Sequence, residues 1–130
     1  MNKIFKKIVF IILIIFSIHS NGVSEEIKLK IGVLVPMSGN DSELGQLIIK
    51  AIRLALKDID VDKLEIYPKD TASNPTQTLK SAKELKAMGI NIIVGPVFFK
   101  SLTYLDEIED LTFLSLTNKT IDIPKNVISA

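Results

Sequence analysis

A three-layer α/β fold, an open parallel sheet with helices on both faces, is the class this sequence predicts. Three observations carry it. Short runs rich in Ile, Leu and Val alternate with longer segments of helical periodicity, the connections between them are short, and the strand exits carry Gly, Pro, Asn or Ser. The order reads β-α-β-α-β-α-β, and the right-handed crossover rule turns that order into parallel strands covered on two sides.

The chain opens with MNKIFKKIVFIILIIFSIHSNGVSEE, in which Lys3, Lys6 and Lys7 precede an unbroken apolar run from Ile8 to Phe16, followed by small and polar residues up to Ser24. This is the order of a secretory signal peptide. The run reaches Ile18 at most, short of the roughly 20 apolar residues that a spanning helix needs. Residues 1–24 are therefore expected to form a signal-peptide helix, cleaved within residues 20–25. A retained anchor is the alternative, because the cleavage region lacks an Ala-x-Ala pattern. No Cys follows the apolar run, which excludes a lipoprotein anchor.

Cleavage there removes three of the 16 basic residues and leaves 13 against 15 acidic ones, a charge of about −2 that argues against nucleic acid as a partner. The single histidine, His19, leaves with that segment, and the chain has no cysteine. Ser-His-Asp and Cys-His catalysis are thereby excluded, as are the imidazole and thiolate sites that zinc prefers. No metal or cofactor is expected. An exported chain without cysteine must also be held together by its core rather than by disulfides.

Within 25–130 the elements follow in order. IKLKIGVLV (27–35) becomes continuously apolar, as a strand buried on both faces does, and Pro36 ends it. Asn40 and Glu43 are a candidate capping pair for a helix over 42–60, with Leu44, Leu47, Ile48, Ala51, Leu54, Ala55 and Ile59 inward and Lys50, Arg53 and Lys57 outward. LEIY (64–67) is the second strand. Asn74-Pro75-Thr76-Gln77 caps a helix over 75–88, since proline lacks the N–H that would go unpaired there, and Gly89 supplies the left-handed stop. A third strand spans 90–94, a third helix marked by Leu102, Leu105 and Ile108 spans 99–110, and LTFLSL (111–116) holds the fourth strand.

In such sheets ligands sit beyond the carboxyl ends of the strands, near the switch in strand order. Those ends are 36–45, 68–74, 95–101 and 117–120. The first holds Ser38, Gly39 and Asn40 ahead of a helix, a place for an anion or simply a capped turn, and it has neither the G-x-G-x-x-G spacing nor the P-loop lysine. Asp70 is a candidate partner for a ligand amine or hydroxyl, with a turn-stabilising role as the alternative. Phe98 and Phe99 are candidates for an apolar wall, or for packing under the third helix. Ser101, Thr117 and Asn118 are either hydrogen-bond donors to a ligand or cap and turn residues. Asp106, Glu107, Glu109 and Asp110 read as a solvated face.

Taken together, IGVLVPMSG with GQLIIKAIRLALKDI, the strand into DTASNP, IIVGPV and LSLTN resemble the N-terminal lobe of the type I periplasmic binding proteins, the group of the leucine/isoleucine/valine receptors. The resemblance covers residues 27 to 130. It implies a periplasmic, non-catalytic receptor for a small solute such as an amino acid, delivered to an ABC permease. Two departures weaken an amino-acid ligand. Phe99 stands where the family usually carries a carboxylate-binding Ser, and Ser115-Leu116-Thr117-Asn118 replaces a Ser-x-Ala-Thr-like turn. LEIYPKDTASNP, GPVFF and LSLTN are similar instead to the penicillin-binding protein activator branch, which implies an accessory role in cell-wall synthesis through protein contacts. The membrane is then met only through the signal segment before cleavage. Family members add a second lobe and hold the ligand between the two, so this chain is expected to be a partial sequence ending near 126–130, where a strand toward the hinge would begin. A half-cleft open to water would hold a ligand poorly.

Overall fold

The computed structural model describes residues 28–59, 63–119 and 121–129, so the expected signal peptide lies outside the described residues. Five strands form one parallel sheet in the order β2-β1-β3-β4-β5. In chain order the elements are β1 (Leu29–Val35), α1 (Ser42–Asp58), β2 (Leu64–Asp70), α2 (Pro75–Ala87), β3 (Ile92–Val94), two 3-10 segments (Phe99–Leu102 and Leu105–Glu107), β4 (Thr112–Ser115) and β5 (Val127–Ser129). The order turns back on itself between β1 and β3, which makes their carboxyl ends the switch point.

β1 carries the continuous apolar run that a two-sided strand requires. Val33 and Val35 lie under α1 with Ile49, while Leu34 points to the opposite face and joins Leu85, Ile93, Leu102 and Phe113. Full burial of such side chains contributes about 1.5–3 kcal/mol each. β2 runs three residues past the expected Tyr67 and includes Pro68. As an edge strand it has one side without a ladder, where the missing N–H of proline does no harm. β5, which the sequence marks only as the beginning of a strand, pairs with β4 in register from Phe113↔Val127 to Ser115↔Ser129. Asn126 fixes its approach by donating from Nδ2 to the carbonyls of Leu105 and Ile108, both at 2.9 Å.

The α2 cap forms as expected. Asn74 Oδ1 accepts from the Gln77 N–H at 3.0 Å, Pro75 opens the helix, and Gly89 closes it with φ +76°. Such a cap contributes about 1 kcal/mol. The Asn40/Glu43 pair does not cap α1. The N-cap position belongs to Asp41, which makes no capping hydrogen bond; its carboxylate accepts instead from the Ser73 hydroxyl at 2.7 Å.

Two further expectations are corrected. The inward face of α1 is turned by about one residue: Gly45 and Ile49 are buried with Ile48 and Ile52 beside them, whereas Leu44, Leu47, Leu54 and Ile59 are exposed. Two apolar stripes share the same i, i+3/i+4 spacing, so periodicity alone cannot choose between them. Gly45 chooses, because a Cβ there would overlap the Pro36 carbonyl and only a glycine lets the helix come that close. The third helix over 99–110 is replaced by the two 3-10 segments. Leu102, Leu105, Ile108 and Leu111 are all buried at a spacing of three, the period of a 3-10 helix rather than the 3.6 of an α-helix.

The two sides of the sheet are covered unequally. α2 and the 3-10 segments lie on one side. On the α1 side, in-register partners project alike, so Val33, Val94, Leu114 and Ile128 form one row across β1, β3, β4 and β5. Val33 is fully buried, Leu114 is 38% exposed and Ile128 is 58% exposed.

Candidate functional site

Loops from β1, β2, β3 and β4 meet at the carboxyl edge of the sheet, and hydrogen bonds between them build the floor of the mouth. Asp70, the last residue of β2, is the hub. Its Oδ1 accepts from the N–H groups of Met37 (2.7 Å), Ser38 (3.3 Å) and Ala72 (2.8 Å), and its Oδ2 accepts from the Ser38 hydroxyl at 2.6 Å. Burial is the largest single influence on this carboxyl and would raise its pKa. The hydrogen bonds from the Ser38 hydroxyl and from the backbone of Met37, Ala72 and Ser38 outweigh it, so Asp70 titrates below the ordinary aspartate range. Four donors leave this carboxylate little capacity for a ligand amine. The turn-stabilising alternative is therefore the one the geometry favours, with the difference that three of the bonds reach across to the β1 loop.

The turn that follows holds Ala72 at φ +47° and Ser73 at φ +52°, two consecutive non-glycine residues in the left-handed region. Each such residue costs about 1 kcal/mol or more. Their fixed positions let Ala72 donate to Asp70 and Ser73 donate to Asp41, which ties this turn to the start of α1. Replacing Ala72 with Gly is expected to raise stability by about 0.5–1 kcal/mol, read as a small upward shift in thermal midpoint.

The β3 exit is joined to the β4 exit by the Pro96 carbonyl, which accepts from the Ser115 hydroxyl at 3.2 Å and from the Leu116 N–H at 3.1 Å. Ser115 is fully buried, and its Oγ also accepts from the Thr117 N–H. Its place in the LSLTN stretch is thus filled by a pin between loops.

The expected site residues divide into two groups. Ser38 lies at the mouth, its hydroxyl bound to Asp70. Phe98 is half-buried and belongs to neither apolar cluster, and Asn118 is exposed. Phe99 packs against the α2-side cluster with one face and receives the Lys119 ammonium 3.9 Å from its ring centroid. Ser101 and Thr117 do not serve as free donors. Ser101 is fully enclosed, with its hydroxyl unpartnered, and Thr117 is buried with Oγ1 accepting from the Lys119 N–H. Both were legible as polar residues at strand ends, but burial takes them out of reach.

Lys119 is the residue that sequence reading misses. A single lysine in a polar turn carries no signal until the fold sets it over Phe99. No group of three or more His, Cys, Asp or Glu side chains among the described residues is arranged to hold a metal ion, and no helix there is long and apolar enough to cross a membrane. Besides the engaged carboxylate of Asp70, the groups gathered at the mouth are hydroxyls, amides, aromatic rings and the ammonium groups of Lys100 and Lys119, which can hold a molecule by polar and apolar contact.

Comparison with known proteins agrees with this architecture. Residues 28–120 match the family model described as periplasmic binding protein. Among solved structures, the solute-binding protein of an ABC transporter from Rhodopseudomonas palustris, in complex with 3,4-dihydroxybenzoic acid, superposes with a TM-score of 0.67 at 25% identity, over 80% of this chain and 32% of that one. The leucine-binding protein LivK of Thermotoga maritima gives 0.67 at 21% identity, over 78% and 32%. The C-domain of LpoA from Haemophilus influenzae, a regulator of PBP1A, gives 0.62 at 23% identity, over 77% and 31%. The chain thus spans about a third of the length of these relatives. No curated protein matches it.

Proposed function

We propose that this chain, which belongs to the periplasmic binding protein family, is the solute-holding lobe of an exported, non-catalytic receptor that serves an ABC permease from the periplasm. One observation carries the reading: the carboxyl edge of the parallel sheet, at its switch point, is tied into a mouth by Asp70, Ser115 and Pro96, and its hydroxyl–carboxylate contact, Ser38 with Asp70, uses a carboxylate already taken up by four donors rather than one free to act as a base. The solute class that the leucine-receptor resemblance implies is the amino acids. Export rests on the basic-apolar-polar order of residues 1–24.

The test is a ligand screen on the purified protein, with amino acids and small organic acids, followed by thermal melting and NMR titration. Saturable binding with perturbations at Ser38, Phe98 and Asn118 supports the reading. Binding elsewhere, or none across the screen when it is repeated on the full-length protein with both lobes, removes it.

A second reading has its own support. Leu44, Leu47 and Leu54 on α1, Leu114 and Ile128 on the sheet and Leu116 just past β4 leave apolar surface exposed, as a protein-contacting surface would. In that case the protein regulates a penicillin-binding protein by contact. The expected result is then co-purification with a peptidoglycan synthase, lost when Leu47 and Leu54 are changed to Glu.

A further inference from the structure

A parallel sheet is ordinarily buried on both faces. The α2 side of this one is closed, with Ile93, Phe113 and Ser115 fully buried. The other side is open over β3, β4 and β5 among the described residues, where Ile92, Leu114 and Ile128 are all exposed. α1 lies over β1, packing Ile49 on Val33 and Val35.

The outer surface of α1 matches that opening. A right-handed β1-α1-β2 crossover, seen with α1 in front and the strands pointing up, sets β2 to the right of β1 and β3, β4 and β5 to the left. α1 runs downward in this view, and its side chains advance by about 100° per residue. With Gly45 and Ile49 against β1, Arg53 and Lys57 point right, Leu44 and Ala51 point left over the opening, and Leu47 and Leu54 point outward, 55% and 61% exposed. Strands lie about 4.8 Å apart, so β4, at the middle of the opening, is about 10 Å from β1, the diameter of one helix. The lobe therefore carries a ridge of leucines and, one helix width to its left, an apolar trough.

We propose that the trough is filled by α1 of a second copy, in a symmetric dimer whose two α1 helices lie side by side between the two sheets. A two-fold axis parallel to the strands sets the Leu47 and Leu54 of each copy on the Leu114 and Ile128 of the other, and brings the two Ala51 flanks together, where a small side chain permits close approach. Arg53 and Lys57, on the opposite flank, stay at the rim. Leu44, Leu47, Leu54, Ile92, Leu114 and Ile128 offer on the order of 500 Å² a copy, the larger part of the about 800 Å² per partner of a standard interface. The self-fit favours a second copy over an unrelated partner, since a foreign surface needs the ridge or the trough but not both at this spacing. The inference does not depend on what the mouth holds.

The experiment is sedimentation equilibrium of the purified protein at micromolar concentrations, for the natural sequence, Leu54→Glu on the ridge and Leu114→Lys in the trough, with circular dichroism melts to verify that each variant is folded. The natural sequence is expected to dimerise, and each variant to weaken the dimer about tenfold or more. An equimolar mixture of the two variants should associate again, because one of its two contacts sets Glu against Lys and the other joins an unaltered ridge to an unaltered trough. A monomer throughout the range, or a dimer that neither variant weakens, overturns the proposal. So does a mixture that associates no better than the separate variants. A protein that is monomeric alone yet captures a peptidoglycan synthase through Leu47 and Leu54 overturns it in favour of the contact reading.

Discussion

Gly95→Ala is expected to destabilise the protein by about 4 kcal/mol or more, enough to lower the thermal midpoint by roughly 20 °C or to prevent folding. Two costs combine at this position. Its φ of +104° is one that L side chains rarely adopt, and an added Cβ would overlap the Leu34 carbonyl oxygen on β1 and come within 3.1 Å of its carbon. Neither neighbour can yield. Leu34 is fully buried in the central part of the sheet, and the Gly95 N–H donates to the Leu114 carbonyl at 2.8 Å. The glycine is what lets the β3 exit press against β1 and still reach β4.

Two companion variants separate those costs. Gly39 has a similar φ of +77° with nothing within 4 Å of an added Cβ, so Gly39→Ala should cost only the conformational part, about 1 kcal/mol. Gly45 sits inside α1, where alanine would ordinarily help by about 1 kcal/mol, but its Cβ would overlap the Pro36 carbonyl; Gly45→Ala should therefore destabilise by about 2–3 kcal/mol. Thermal melts followed by circular dichroism give the order Gly95→Ala, Gly45→Ala, Gly39→Ala from worst to mildest. If Gly95→Ala melts within a few degrees of Gly39→Ala, the close approach of β3 to β1 is not what holds this corner.

The contrast between Gly45 and the α1 leucines shows where sequence reading succeeds and where it stops. Apolar runs gave the strands, and Asn74-Pro75 gave the start of α2, because each depends on residues adjacent in the chain. The rotation of α1 depends on the clearance between Gly45 and Pro36, nine positions apart, and periodicity alone cannot supply it. The 3-10 segments were written in the spacing of Leu102, Leu105 and Ile108, but three such residues fit one face of an α-helix nearly as well. At the mouth, the phenylalanines were visible as an oddity at a strand exit. The hub role of Asp70 was not, since three of its bonds come from residues 32 and 33 positions away.

Asp70→Ala is expected to remove about 2–3 kcal/mol, roughly 10–15 °C in thermal midpoint, and to loosen the mouth at the same time. The reason is the number of donors it would strand: the N–H groups of Met37, Ser38 and Ala72 and the Ser38 hydroxyl all lose their acceptor. Partial exposure lets water replace some of those bonds, which keeps the cost below the sum of four charged ones. The carboxylate also sets a pH dependence. Its pKa is depressed in the folded state, so its contribution is fully present above the unfolded value near 3.9 and is lost as pH falls through the lower folded value. Glu65, Glu84 and Asp110 are lowered too, by hydrogen bonds from Lys28, Lys69 and Lys86, so acid weakens the natural protein at several sites. Comparison with Asp70→Asn isolates the one that matters here. The stability gap between the two proteins should be constant from pH 7 to about 5 and narrow progressively once the pH falls below about 3.9, and hydrogen exchange at Met37 and Ser38 should be faster in the variant throughout the upper range. A gap that does not narrow at all as the pH falls below about 3.9, with unchanged exchange at those two amides, would mean that the mouth is held by its backbone turns and not by the charge of Asp70.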